Sequence, residues 1–218
     1  MVRVLKIIGW VVMLVLALGI ALVSFRFFVL KPEMAAGPPF AQRFAAYITP
    51  LLFHAGGGIV ALVLGPWGFW GGLRNKHLRL HRWMGRVYLV AVLTGGSAGL
   101  IMAVTAFGGL PTRIGFTLLD LLWLTTGVTA YLHIRRGRVQ AHREWMIRNY
   151  ALTFSAVMLR VWLPLFLMLG YGFSEAYTTV AWLAWVPNLL IAELVISKRR
   201  ESANRRDLKL NAVTVRAA

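Results

Sequence analysis

The chain has 218 residues, 59% of them hydrophobic, and its 24 Lys and Arg residues against seven Asp and Glu residues give a formal charge of +17. This apolar share exceeds that of a soluble domain, so part of the surface must face lipid. The sequence has no Cys, which excludes disulfides, thiolate metal sites and a Cys-x-x-Cys-His attachment of haem.

Six apolar runs come close to the roughly 20 residues that a helix needs to cross a bilayer. They leave little sequence for anything else, and the connections between them are short. The sequence therefore predicts an all-α polytopic membrane bundle at residues 1–197 and a basic, disordered tail at residues 198–218. The runs cover residues 7–25, 45–66, 87–107, 114–134, 150–170 and 177–197.

The positive charges lie mainly in alternate connections. Nineteen of the 24 Lys and Arg residues flank one side of the predicted bundle, and four lie on the other side: Arg26, Lys31, Arg43 and Arg113. By the positive-inside rule both termini are cytoplasmic, as in a multi-pass protein of the bacterial inner membrane. We expect the charge to contact anionic lipid headgroups at the cytoplasmic face, and we expect no nucleic-acid partner.

Two short stretches repeat one another: HRWMGRVY at residues 81–88 and HREWMIRNY at residues 142–150. Both begin an outward-running helix after a basic loop, so helices two and three and helices four and five are predicted to form parallel copies of one hairpin. In one interpretation Arg and His snorkel to phosphates and the Trp and Tyr residues, including Tyr88 and Tyr150, form an interfacial belt. In the other, the two phrases hold a charged headgroup, a cofactor propionate or a metal.

Three stretches together resemble a known family: FHAGGGIVALVLGPWGF, HRWMGRVYLVAVL and AHREWMIRNYALTFSAVMLRVWLPL. They are similar to the bacterial inner-membrane family called domain of unknown function 2306. The resemblance covers about residues 45–195, and the His-Arg phrase with its trailing Arg160 is fairly specific. It implies the family's membrane fold and brings no mechanism.

Four ionisable residues are expected at membrane depth, where a charge is costly and usually faces the bundle interior: His54, Asp120, Arg160 and Glu193. His54 is expected about 13 Å deep, near mid-membrane. Asp120 and Arg160 lie at compatible depths on consecutive antiparallel helices, so we expect them to form an ion pair. Glu193 lies near the inner end, within reach of Arg82, Arg86 or Arg148.

A b-type haem electron carrier is the first of three functions that stay open, since six helices with His on central ones resemble the layout of cytochrome b561. Haem iron is commonly held by His, and Arg pairs with its propionates. The candidate residues for haem b are His54, His81, Arg82, His142 and Arg143. The pattern departs from that family because Asp120, not His, stands opposite His54.

A small-molecule or ion transporter is the second function, with Pro164 and Pro187 kinking two helices to open a cavity and a homodimer as the expected assembly. Its path would be lined by His54, Asp120, Arg160, Asn188 and Glu193. The third is an enzyme that acts on lipid with His and carboxylates as acid and base, although no Asp-x-x-Asp or His-x-x-x-His motif accompanies them. A structural or accessory role also fits the composition.

Overall fold

The computed structural model describes residues 2–35 and 38–217, and the regular elements of this part of the chain are all helices. Six segments of it are long and apolar enough to cross a membrane, which confirms the predicted helical bundle. The helices are α1 (Val2–Ser24), α2 (Arg26–Val29), α3 (Pro32–Ala35), α4 (Pro38–Ala46), α5 (Ile48–Phe69), α6 (Gly71–Lys76), α7 (Leu78–Ala103), α8 (Gly109–Arg135), α9 (Val139–Thr153), α10 (Ser155–Met168), α11 (Phe173–Leu183) and α12 (Val186–Ala217).

Several helices extend beyond the apolar runs. The helix α7 begins at Leu78, well before the run predicted at residues 87–107, because Arg and His side chains at its start can snorkel to the headgroups and lower the hydropathy without breaking the helix. The helix α12 continues through the basic tail to Ala217. The division at residue 197 and the disorder of the tail stay predictions.

The fifth and sixth spans each consist of two helices. In the fifth span α9 and α10 meet at Phe154, directly after Thr153, whose hydroxyl donates back to the carbonyl oxygen of Asn149 at 3.0 Å. Such a bond to the preceding turn tends to bend a helix. In the sixth span α11 ends at Leu183, and α12 carries Pro187 in its first turn, where proline is well tolerated.

Small residues allow the closest helix packing, between α5 and α7. A Cβ atom placed on Gly57 would lie 2.7 Å from the Cα atom of Gly95, so the two backbones touch at this point. Next to this pair, α8 packs between α7 and α9, and α1 packs against α5 and α10. The helix α11 packs against α8 and α10, and α12 packs against α9. The predicted duplication of a hairpin stays a prediction.

The two ends of the bundle differ in what covers them. We call the outer end the one that holds α4, the end of α7 and the start of α8, and the inner end the one that holds α6 and the start of α9. Arg43 ties α4 to the outer end, since its guanidinium donates to the carbonyl oxygen of Met102 and, at 3.1 Å, to the hydroxyl of Thr105. The charge pattern predicts that the inner end faces the cytoplasm.

Candidate functional site

A cavity of about 230 Å³ lies in the outer half of the bundle, and all six spans contribute to its walls. Most of the lining is apolar, with aromatic rings from Phe27, Phe44 and Phe116. The polar lining residues are Ser24, Arg43, His54, Asp120, Thr153, Ser155, Arg160 and Tyr177. Three of the ionisable residues predicted at membrane depth, His54, Asp120 and Arg160, therefore share one cavity.

His54 and Asp120 approach each other across Gly99, an arrangement that the sequence did not predict. A Cβ atom on Gly99 would lie 2.6 Å from Oδ1 of Asp120 and 2.7 Å from Nδ1 of His54. The separation between Oδ1 of Asp120 and Nδ1 of His54 is therefore no larger than the sum of these two distances, although no direct hydrogen bond joins the two side chains. The Nδ1 atom of His54 lies 2.9 Å from the carbonyl oxygen of Gly95, to which it donates, and this leaves Nε2 as the nitrogen that can gain or lose a proton.

Arg160 enters the same cavity but does not pair with Asp120. Its guanidinium donates to the carbonyl oxygen of Ala156 at 2.9 Å and to the hydroxyl of Ser24 at 3.1 Å. The predicted ion pair is therefore wrong: in the described part of the chain, Asp120 accepts no hydrogen bond and lies in no ion pair. Two residues at the same depth form an ion pair only if their side chains point towards each other. Asp120 faces α7, whereas Arg160 turns back along α10 towards α1.

Arg43 supplies a second guanidinium at the outer rim of the cavity. It is half-buried, and burial lowers the pKa of its guanidinium from the usual value. Its Nε atom is buried without a hydrogen-bond partner among the described residues. An Arg side chain carries five N–H donors, so both Arg43 and Arg160 have donors left for a ligand.

A buried network of polar side chains closes the cavity on its inner side. The indole of Trp123 donates to the hydroxyl of Thr153 at 2.8 Å, and both residues line the cavity. The hydroxyl of Tyr88 donates to Oδ1 of Asn149 at 2.7 Å. The Nδ2 atom of Asn149 donates in turn to the carbonyl oxygen of Trp123 and to the hydroxyl of Thr126, at 2.7 and 2.9 Å.

The network corrects the interfacial interpretation of the two repeated phrases. Tyr88 and Tyr150 were placed in a belt of aromatic residues at the membrane surface, but both are buried in the core. They follow more than two helical turns after the starts of α7 and α9, which carries them below the headgroup level. Asn149 was missed as a buried residue, although Asn149 and Thr153 stand four residues apart on one face of α9 and could have indicated it.

One protein family includes this sequence. The model of a family described as predicted membrane protein (DUF2306) matches residues 51–196. The chain belongs to this family. A comparison of this chain with the curated proteins and with the solved structures found no significant match. The matched region holds six of the eight polar cavity residues, all except Ser24 and Arg43, so the cavity is largely a feature of the DUF2306 region.

The His residues of the two repeated phrases lie far from the cavity of this DUF2306 protein. His81 stands about 27 Å from Gly99 along α7, and His142 stands in the first turn of α9, also at the inner end. The Nδ1 atom of His142 donates to the carbonyl oxygen of Ala130 at 2.9 Å. Their neighbours Arg82 and Arg143 are exposed. Haem binding by these residues stays a prediction.

Two other residues of the predicted transport path lie outside the cavity of the DUF2306 protein. Asn188 donates to the carbonyl oxygens of Ala151 and Ala184, at 3.2 and 3.0 Å, and so joins α12 to α9 and to the end of α11. Glu193 accepts two hydrogen bonds from Arg148 at the inner end. This confirms the expectation that Glu193 pairs with one of the Arg residues there. We assign both residues to helix packing.

Proposed function

We propose that this multi-pass membrane protein is a transporter that binds a small organic anion in its cavity. One observation carries the proposal: two guanidinium groups, Arg43 and Arg160, line a cavity in the outer half of the bundle, and neither lies in an ion pair within the described residues. Arg160 lies at membrane depth, where positive charge is costly and commonly marks a path for an ion or substrate. An anion of the right size would compensate this charge.

The walls of the cavity indicate which anions fit. The paired N–H groups of an Arg guanidinium match the oxygen atoms of carboxylates, sulfonates and phosphates. The aromatic rings of Phe27, Phe44 and Phe116 can pack against the apolar part of a ligand. A volume of about 230 Å³ lies below the range of about 300–1,000 Å³ that is common for sites of drug-sized ligands. We therefore expect a monoanion with one ring or a short chain.

The inner half of the bundle supports transport in a cycle that alternates between two sides. The network around Asn149 closes the cavity on its inner side, and two ion pairs, Arg148–Glu193 and Arg200–Glu144, join α9 to α12 at the inner end. The breaks between α9 and α10 and between α11 and α12 supply joints at which the two halves of these spans can move separately. In a bacterial inner membrane with both termini inside, the cavity would face outwards.

Benzenesulfonate is a suitable test ligand, because it combines one fixed negative charge with one ring. We expect the purified protein in lipid nanodiscs to bind it in calorimetric titrations and to bind the neutral benzenesulfonamide at least tenfold more weakly. Arg160→Gln should lower the affinity for benzenesulfonate at least tenfold. Arg113→Gln is the matched control, since Arg113 lies at the same outer end, is exposed and does not line the cavity.

Two outcomes would overturn the proposal. One is equal binding of the charged and the neutral compound, which would leave no role for the two guanidinium groups. The other is a lack of benzenesulfonate uptake into proteoliposomes that contain correctly folded protein. Binding without uptake would reduce the protein to a receptor or an accessory subunit.

A b-type haem carrier is the second candidate, and one observation favours it. His142 donates from Nδ1 to the carbonyl oxygen of Ala130, which leaves Nε2 free in the arrangement typical of a His that binds a metal. Protein from a haem-replete host should then show a Soret band. His81→Ala and His142→Ala should each abolish this band and His133→Ala should spare it, whereas the absence of a band in the wild type would eliminate this candidate.

A further inference from the structure

The space between His54 and Asp120 is shaped by Gly99. Oδ1 and Oδ2 of Asp120 would lie 2.6 and 2.7 Å from a Cβ atom at this position, and Nδ1 of His54 would lie 2.7 Å from the same atom. The carboxyl group of Asp120 and the imidazole of His54 are therefore separated by less than the length of two hydrogen bonds, although no direct hydrogen bond joins them. At this separation the charge of one group affects the protonation of the other.

The groups that face this pair come from four neighbouring helices. The helix α7 presents the carbonyl oxygen of Gly95 and the bare backbone of Gly99, and neither of them titrates. The other charged or titratable groups that line the cavity are Arg43 from α4, Arg160 from α10 and Tyr177 from α11. Within the described chain, none of these three donates to Asp120.

The carboxylate of Asp120 accepts no hydrogen bond from the described residues, and the guanidinium groups of Arg43 and Arg160 offset its charge while the cavity holds no anion. Once an anion neutralises these guanidinium groups, the pair is most stable when it holds one proton. His54 can accept this proton at Nε2, because its Nδ1 atom is engaged with Gly95. Whether His54 or Asp120 carries the proton, the pair is then neutral overall. Without the proton, the negative charge of Asp120 opposes part of the positive charge of Arg43 and Arg160.

We infer that His54 and Asp120 form a proton site that couples the entry of each anion to the uptake of one proton. This inference rests on the proposed transport of an anion. An anion in the cavity repels the unprotonated pair, and so it favours protonation, and by linkage the proton raises the affinity for the anion. One proton and one monoanion bind from one side and both leave on the other, so no net charge crosses the membrane.

The experiment uses benzenesulfonate, which stays ionised over the whole working range of pH and cannot carry a proton itself. The protein is reconstituted into liposomes that contain the pH indicator pyranine. An inward gradient of benzenesulfonate should acidify the lumen, and a potassium diffusion potential should leave the initial rate of uptake unchanged. In nanodiscs, the affinity should fall up to tenfold for each unit of rising pH, which is the limit for linkage to one proton.

Two variants separate a proton site from a structural role. Asp120→Asn keeps the side-chain shape and removes the negative charge without which His54 does not hold a proton beside two guanidinium groups. We therefore expect tight binding that no longer depends on pH and uptake that no longer acidifies the lumen. Gly99→Ala forces the two side chains apart and should weaken the pH dependence. Gly85→Ala is its control on the same helix, because a Cβ atom there has no neighbour within 4 Å.

The outcomes distinguish failure of this inference from failure of the proposed function. Benzenesulfonate uptake that responds to the membrane potential and leaves the lumenal pH unchanged would overturn the proton coupling and preserve the transporter. No binding of benzenesulfonate by the wild type would overturn both. Since the pH dependence and the acidification are measured on the wild type, the test holds even if Asp120→Asn fails to fold.

Discussion

Tyr88 donates a hydrogen bond of 2.7 Å to Asn149, and this bond joins the two repeated phrases inside the core of the bundle. Tyr88 is the last residue of the first phrase, and Asn149 is the last but one of the second. Tyr150, the counterpart of Tyr88, has a buried hydroxyl with no hydrogen-bond partner among the described residues. The phrases are therefore alike in sequence and different in role.

This difference between the two tyrosines predicts different effects of the same mutation. Tyr88→Phe leaves Oδ1 of Asn149 without its donor and removes a bond to Thr153, so it should lower the free energy of unfolding by about 1–3 kcal/mol. Tyr150→Phe is the matched control and should be neutral or slightly stabilising, because it removes an unsatisfied hydroxyl. Unfolding in mixed micelles, followed by Trp fluorescence, measures both. Equal losses in the two variants would contradict the network.

The separation of Asp120 from Arg160 predicts that their mutations add. At a pH at which the pair of His54 and Asp120 holds its proton and is neutral, Asp120→Asn and Arg160→Gln should change the free energy of unfolding independently, with a coupling energy below about 0.5 kcal/mol, since neither group contacts the other. A double-mutant cycle measures this value. A coupling of several kcal/mol would restore the ion pair that the sequence predicted.

Arg148 and Glu193 are the positive control for that cycle. The Nε atom of Arg148 donates to Oε1 of Glu193 at 2.5 Å, and its second donor reaches Oε2 at 2.8 Å. The side chain of Glu193 is 47% exposed, so solvent screens the pair. We expect the cycle of Arg148→Gln and Glu193→Gln to give a coupling of about 1 kcal/mol, at the upper end for exposed pairs.

These two pairs explain how far the sequence predicted the site. Hydropathy and charge predicted the number of spans and the depth of each residue. Depth alone was enough to predict an Arg partner for Glu193, because the inner end of the bundle carries many Arg residues. Depth did not suffice for Asp120, because contact also depends on the rotation of each helix about its axis. The residues around Asp120, in TLLDLLWL, and around Arg160, in VMLRVWLPL, are almost all apolar, so no polar face indicated the rotation of these two helices. The sequence therefore did not predict that His54 and Asp120 lie close together across Gly99.

The contact between α5 and α7 predicts opposite outcomes at two neighbouring glycines. Gly57→Ala would place a methyl group 2.7 Å from the Cα atom of Gly95 and should lower the free energy of unfolding by about 1–3 kcal/mol through overpacking. Gly58→Ala meets no atom within 4 Å and should be neutral or stabilising, since Ala is the better helix former. The melting temperature in detergent compares the two variants. Similar values for both would show that the helices are not in backbone contact.

The orientation of the bundle decides the direction in which the cavity faces. Nineteen of the 24 Lys and Arg residues flank the inner end, and an even number of spans puts both termini on that side. Reporter fusions after Lys76, Arg138 and Ala218 should therefore give cytoplasmic signals, and a fusion at Gly109 should give an external one. The opposite pattern would turn the cavity towards the cytoplasm, where the same guanidinium groups would load an anion for export. Since Gly109 begins α8 next to the rim of the cavity, its fusion tests the side on which the anion enters.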